Sequence, residues 1–194
     1  MIDRPDVSGL SDKETIDMIK AWVSQFVIGY HLCPFAASPF VKNLIRYKVV
    51  TASEEQRLLE SVSAEIDLLQ TTPADELSTT IIILCHLWSD FYEYNHGLDL
   101  VDGVIAAKGM EGVIQVASFH PNYQFAGVKP QDASNFTNRS PLPLLHLIRE
   151  DDISHARDSY PDIEGIPSRN IETMEKLGFD ELDNNLKLLM ETPQ

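Results

Sequence analysis

The chain has 194 residues, 43% of them hydrophobic, and a formal net charge of −15. That is enough apolar material for one domain with a real core. The acidic balance opposes nucleic-acid binding, which depends on Lys and Arg neutralising phosphates, and it opposes adhesion to anionic membranes.

Residues 1–10 read as a loose lead-in without the apolar region of a signal peptide, and no apolar run approaches the roughly 18 residues a membrane helix needs. The expectation is a soluble cytoplasmic protein with a single domain over residues 11–191. Ser11-Asp-Lys-Glu14 is a capping box, and Ile16, Ile19, Val23, Phe26, Val27 and Tyr30 follow at helical spacing, so a helix is predicted to run to about Gly29. Leu44–Val50 alternates and is rich in β-formers, which predicts a strand. A second capping box, Ser53-Glu-Glu-Gln56, opens a helix with Leu58, Leu59, Val62, Ile66 and Leu69 on one face. Thr79–Cys85 is continuously apolar, as suits a central strand buried on both faces. A helix over 90–107 follows, with Phe91, Tyr94, Leu98, Val101 and Ile105 inward, closed by Gly109 and Gly112. Val113–Phe119 is the third strand. Three helices are predicted near 152–159, 168–177 and 180–190.

This order predicts an α/β fold with a small, mostly parallel sheet of three to four strands flanked by helices, an α+β arrangement being the alternative. No Gly-rich phosphate loop follows any strand, which disfavours Rossmann and P-loop nucleotide sites. Ligands in open α/β sheets bind beyond the carboxyl ends of the strands. Cys85-His86 and His120 both follow strands, and they share one sheet edge if those strands run the same way.

The segment from Ala117 to Glu150 is dense in polar and proline residues, and much of it has no clean period. Long irregular segments in compact domains are usually functional or disordered, and its aromatic and aliphatic residues argue against disorder. Its charge supports a site. Residues 31–50 and 112–150 together carry six basic and two acidic residues, whereas the other 135 carry nine and 28. An acidic shell around two neutral-to-basic islands suits an internal anion site, although core segments are poor in charge in any case.

His120 follows a strand directly and is a candidate general acid or base; the alternative is a histidine that pins a loop. Arg139 can fork onto a phosphate or carboxylate, with Asn135, Asn138 and Ser140 adding hydrogen bonds, or these residues satisfy loop backbone groups. Pro141 and Pro143 bracket the predicted start of a short helix, on which His146 and Arg149, three apart, share a face. His146 is thus a second proton-transfer candidate and Arg149 a second anion ligand. Tyr123 is a hydrogen-bonding wall of the site or a packed aromatic. In His31-Leu-Cys-Pro-Phe-Ala36, a Cys33 at a helix cap before Pro34 would be a nucleophile, since helix N-termini favour thiolate; the alternative is a small buried hydrophobe. Cys85, ending an apolar strand, reads as core. The two cysteines read as reduced thiols. Neither His31-x-Cys33 nor Cys85-His86 has zinc spacing, so no metal ligand is assigned and the cofactor is left open.

Trp22-Val23, Leu32–Ala36, Ala117–Phe125, Asn135–Pro143 and Leu145–Glu150 together resemble a bacterial domain-of-unknown-function family, the one numbered 1415. The resemblance covers about residues 13–178. Leu142 and Ile148 depart from its usual pattern, and neither is a reactive type. The resemblance implies no established activity. It does group the Cys33 box with the His120–Glu150 segment.

The expectation is therefore a small enzyme, with hydrolase and transferase chemistry both open. It acts on an anionic small molecule held by Arg139 and Arg149, with His120 or His146 moving a proton. The rivals are a non-catalytic metabolite-binding module and a structural or assembly protein. The oligomeric state is left open.

Overall fold

Four runs of β-branched and aliphatic residues pair into one sheet: β1 (Ile45–Val50), β2 (Thr79–Leu84), β3 (Ile114–Phe119) and β4 (Leu144–Arg149). The computed structural model describes residues 9–159 and 162–191, so most of the expected lead-in lies outside the described residues. The spatial order is β1-β2-β4-β3. β1 and β2 are parallel, while β4 is antiparallel to both of its neighbours. β1, β2 and β3 therefore all point one way, and β4 is wedged between the last two in reverse.

This corrects the expectation of a mostly parallel sheet, because the pairings are mostly antiparallel. The error arises at residues 144–149, read from the sequence as a short helix. Leu144, Leu145 and Leu147 are fully buried, on both faces of the sheet. A short, continuously apolar run has no period that separates a central strand from a buried helical turn. Burial decides it. Leucine's helix preference is worth less than about 0.7 kcal/mol per residue, whereas burying each side chain is worth about 1.5–3 kcal/mol. Pro143 fits just before β4, where its carbonyl accepts from the Leu84 N–H at 3.0 Å. A second correction follows. Residues three apart on a strand face opposite ways, so His146 and Arg149 do not share a face.

Helices cover both faces. α1 (Asp12–Trp22) opens on the predicted capping box: the Glu14 N–H donates to Ser11 Oγ at 3.3 Å, and the Ser11 N–H donates to the Glu14 carboxylate at 2.8 Å. It continues as a π-helical segment, Val23–Ile28, up to Gly29. Ile19, Trp22 and Phe26 from this rod meet Ile81, Ile83 and Leu144 of the sheet. α6 (Ile166–Leu177) and α7 (Phe179–Glu191) add Met174, Leu182 and Leu186 to the same core. On the other face, α3 (Glu55–Thr71) and α4 (Phe91–Ala107) bring Leu58, Val62, Ile66, Tyr94 and Val101 against Ile82, Leu84, Leu145 and Leu147. The predicted capping box at Ser53 does not form. The cap position of α3 is Glu54, with no side-chain bond, so Ser53 stands one residue too early. α4 is capped instead by Asp90, which accepts from Tyr92 N at 2.9 Å and Glu93 N at 3.2 Å.

Gly97 of α4 allows one close approach. A Cβ there would lie 2.4 Å from the Trp88 ring, so only glycine lets that indole lie flat on the helix. α2 (Ala37–Val41) is a single short turn before β1, and α5 (Glu150–Ser159) leads directly out of β4. No helix of the described residues is long and apolar enough to cross a membrane.

Candidate functional site

His120 begins the irregular segment and is fully buried. Its Nδ1 lies 3.0 Å from the Asn122 N–H, which can only donate, so Nδ1 holds a lone pair. The ring proton is therefore on Nε2, which donates to the Trp88 carbonyl at 3.3 Å. The imidazole packs against Phe91 and Tyr94, with ring centroids 5.3 and 5.1 Å away. Both nitrogens are engaged by backbone groups.

The neighbouring polar residues are used the same way. Asn135 accepts from the Phe125 N–H at 3.0 Å and donates to the Lys129 carbonyl at 2.8 Å. Asn138 donates to the Ser118 carbonyl at 3.1 Å, and Ser140 to the Leu142 carbonyl at 2.5 Å. Arg139 is 4% exposed and donates to the carbonyls of Tyr123 at 3.2 Å and Pro130 at 2.6 Å. Its guanidinium sits 4.6 Å from the Phe136 ring centre and 5.6 Å from that of Phe179. Burial lowers its pKa to about 10, partly offset by Asp183, so it stays cationic at neutral pH. Tyr123 packs its ring on Phe91 and Phe125. At the other end of β4, Arg149 donates to the carbonyls of Thr72 at 2.8 Å and Leu77 at 2.9 Å. A buried loop must satisfy its own backbone, and these side chains do so.

A different set of residues surrounds a cavity of about 420 Å³ on the α1 face of the sheet. Its floor is every second residue of three strands: Thr79 and Ile81 of β2, Ala117 and Phe119 of β3, and Leu144, His146 and Ile148 of β4. Trp22, Val23 and Val27 roof it. Cys33, Phe35 and Ala36 close one side, and Asp152 and Ile153 at the start of α5 border another. Of the candidates read from the sequence, Cys33 and His146 line this cavity, while His120, Tyr123, Asn135, Asn138, Arg139, Ser140 and Arg149 do not. A larger cleft of about 680 Å³ between α1 and α7 is lined by no cysteine, histidine or arginine among the described residues.

The His146 tautomer is fixed by its neighbour. Thr79 has one hydroxyl proton, which it donates to the Leu147 carbonyl at 2.5 Å. The 2.7 Å contact between Thr79 Oγ1 and His146 Nε2 must then be donated by the imidazole. Nδ1 keeps its lone pair, has no partner among the described residues, and is not among the buried unpartnered atoms. It is left open to the cavity.

Burial lowers the His146 pKa to about 4, so the ring is neutral at pH 7. The linked stability is complete above about pH 6.5, the unfolded value, and is lost as pH falls towards 4, because the unfolded chain binds the proton first. Within that window the expected slope is up to about 1.4 kcal/mol per pH unit. Urea denaturation at pH 7 and pH 5 checks it: the wild type should lose more stability than His146→Gln between these values. Equal losses would show that His146 is not a buried neutral imidazole.

Burial likewise pushes the Cys33 thiol up, against a smaller opposing effect of the Phe35 and Ala36 backbone N–H groups. Cys33 is not at a helix cap as predicted. α2 begins at Ala37 with Ala36 in the cap position, and residues 34–36 form a turn. Among the described residues, no group of three or more His, Cys, Asp or Glu could hold a metal ion.

Sequence reasoning did not find Thr79, Ala117, Phe119 or Asp152 as parts of one lining. The signal was present as period-2 spacing on three strands, but it required reading 144–149 as a strand. The chain matches no curated protein and no solved structure. The model of one family, described as protein of unknown function (DUF1415), matches residues 14–184, a span that holds the whole sheet and every residue lining the cavity under α1, and the chain belongs to that family.

Proposed function

We propose that the protein is a binding module for a small, largely apolar molecule, held in the cavity between α1 and the sheet. One observation carries this reading: a walled apolar cavity in which a neutral imidazole keeps an unpartnered Nδ1. A cavity of about 420 Å³ falls in the size range of small-molecule sites, and such sites pair apolar walls with a few placed polar groups. The expected anionic ligand rested on Arg139 and Arg149, which bond backbone carbonyls away from the cavity, and expected proton transfer by His120 rested on a ring whose nitrogens are engaged.

Titration with phenylnaphthylamine, a neutral apolar fluorophore, tests the proposal. The expected result is saturable binding at one site per chain, with affinity at least about tenfold weaker in Ala117→Trp, since an indole there fills the floor beside His146. No saturable binding, or binding untouched by that substitution in a folded variant, would overturn it.

A second reading, an enzyme using Cys33 as a nucleophile, is favoured by the two backbone N–H groups beside the thiol. It requires iodoacetamide to alkylate Cys33 faster than a free thiol at neutral pH. The binding reading expects slower alkylation, because burial favours the neutral thiol.

A further inference from the structure

The charge lining the cavity is one-sided, although the Ser78 hydroxyl and the Cys33 thiol there can also donate. His146 Nδ1 offers a lone pair, and Asp152 offers a carboxylate. Thr79 has already used its only proton on the Leu147 carbonyl. Among the described residues, no lysine or arginine lines the cavity. An anion entering would therefore meet a carboxylate and a lone pair without any charged partner.

The strand register locates the carboxylate. Ile148, near the end of β4, lies opposite Thr79, and Thr79 lies opposite Ile45. α5 follows β4 without a break, so Asp152 stands just past this corner, at the rim of the apolar floor. Glu150 and Asp151 share the same first turn and add to the negative field there. His146, two residues before Ile148, faces the same side further in.

We infer that the cavity's ligand is an apolar amine, whose hydrocarbon body fills the space under Trp22 and whose ammonium group is held at the Asp152 end. This rests on the binding proposal above and adds the chemical class of the ligand. An ammonium has donors only, which complements the Asp152 carboxylate and the His146 lone pair, both of them acceptors. An alcohol of the same shape can donate one hydrogen bond to the carboxylate, whereas the ammonium adds the attraction of a full opposite charge.

Displacement of phenylnaphthylamine by three ligands of one shape tests this: naphthylmethylamine, naphthylmethanol and naphthoate. The expected order is amine, then alcohol, then carboxylate, with the amine about tenfold tighter than the alcohol. In Asp152→Asn the amine's advantage over the alcohol should fall to about twofold, because the amine loses an ion pair and the alcohol at most a hydrogen bond. The wild-type comparison alone decides if that variant fails to fold. If the alcohol or the carboxylate binds as tightly as the amine, the amine assignment is overturned and the cavity proposal stands. If the fluorophore itself does not bind, the cavity proposal fails and this inference with it.

Discussion

Replacing Arg139 with methionine will lower the unfolding free energy by about 3 kcal/mol, and the melting temperature by about 6–12 °C for a chain of this size. The side chain holds the loop over the sheet end from beneath, through the Tyr123 and Pro130 carbonyls. Methionine keeps a long side chain between Phe136 and Phe179 but provides no donor, so the Tyr123 carbonyl loses this bond and the Pro130 carbonyl keeps only a long one, 3.5 Å, from Asn135. Each buried group left unsatisfied costs about 1–3 kcal/mol. Removing a buried cation recovers part of that, because burial penalises the guanidinium. One terminal nitrogen of Arg139 also has no protein partner, so the wild-type arrangement is not fully relieved. Denaturant unfolding measures the balance. A change smaller than about 1 kcal/mol would mean that Arg139 does not clip the loop.

His120→Ala is expected to cost about 3–4 kcal/mol. The ring is fully buried against Phe91 and Tyr94, and its removal leaves a hole beside Trp88. It also strips the Asn122 N–H and the Trp88 carbonyl of their partner. Trp88 itself is held tightly: its indole N–H donates to Glu55 at 2.9 Å, and it lies on Gly97 with no room to shift inward. The loss should therefore spread to the α4 side of the core. The same variant, while folded, should bind phenylnaphthylamine within about threefold of wild type, since His120 does not line the cavity. A stable His120→Ala that no longer binds would reverse the roles of His120 and His146.

Much of the fold was legible because burial and periodicity agree along most of the chain. The helix from Ser11, the strand at Thr79–Leu84 and the amphipathic helix with Tyr94 and Val101 inward all follow from spacing and caps that the structure keeps. The failures occur where spacing carries no information. Leu144–Arg149 is apolar enough to be buried in any conformation, and its identity is set by partners at Thr79–Ile83 and Ile114–Phe119 far away in sequence. That one reading changed the sheet from mostly parallel to mixed, and it turned His146 away from Arg149.

Which of the candidate residues meet in one place was not legible for a related reason. A run rich in His, Arg, Asn and Pro has the composition of an active site, but it also has the composition of a long buried loop that must bond its own carbonyls. Residue types alone do not separate these, because both uses need the same donors. The hydrogen bonds do: Asn135, Arg139 and His120 bond to backbone, whereas His146 Nδ1 has no partner among the described residues. Cys33 and His146 were legible as candidates, but their meeting across one cavity depends on the turn at 34–36 and on the central place of β4.

The separation of scaffold from cavity is tested most directly by titrating phenylnaphthylamine into Arg139→Met and Ala117→Trp side by side. Arg139→Met should be markedly less stable yet bind within about threefold of wild type, and Ala117→Trp should stay folded yet bind at least about tenfold more weakly. Undiminished binding by folded Ala117→Trp, together with lost binding by folded Arg139→Met, would refute that separation.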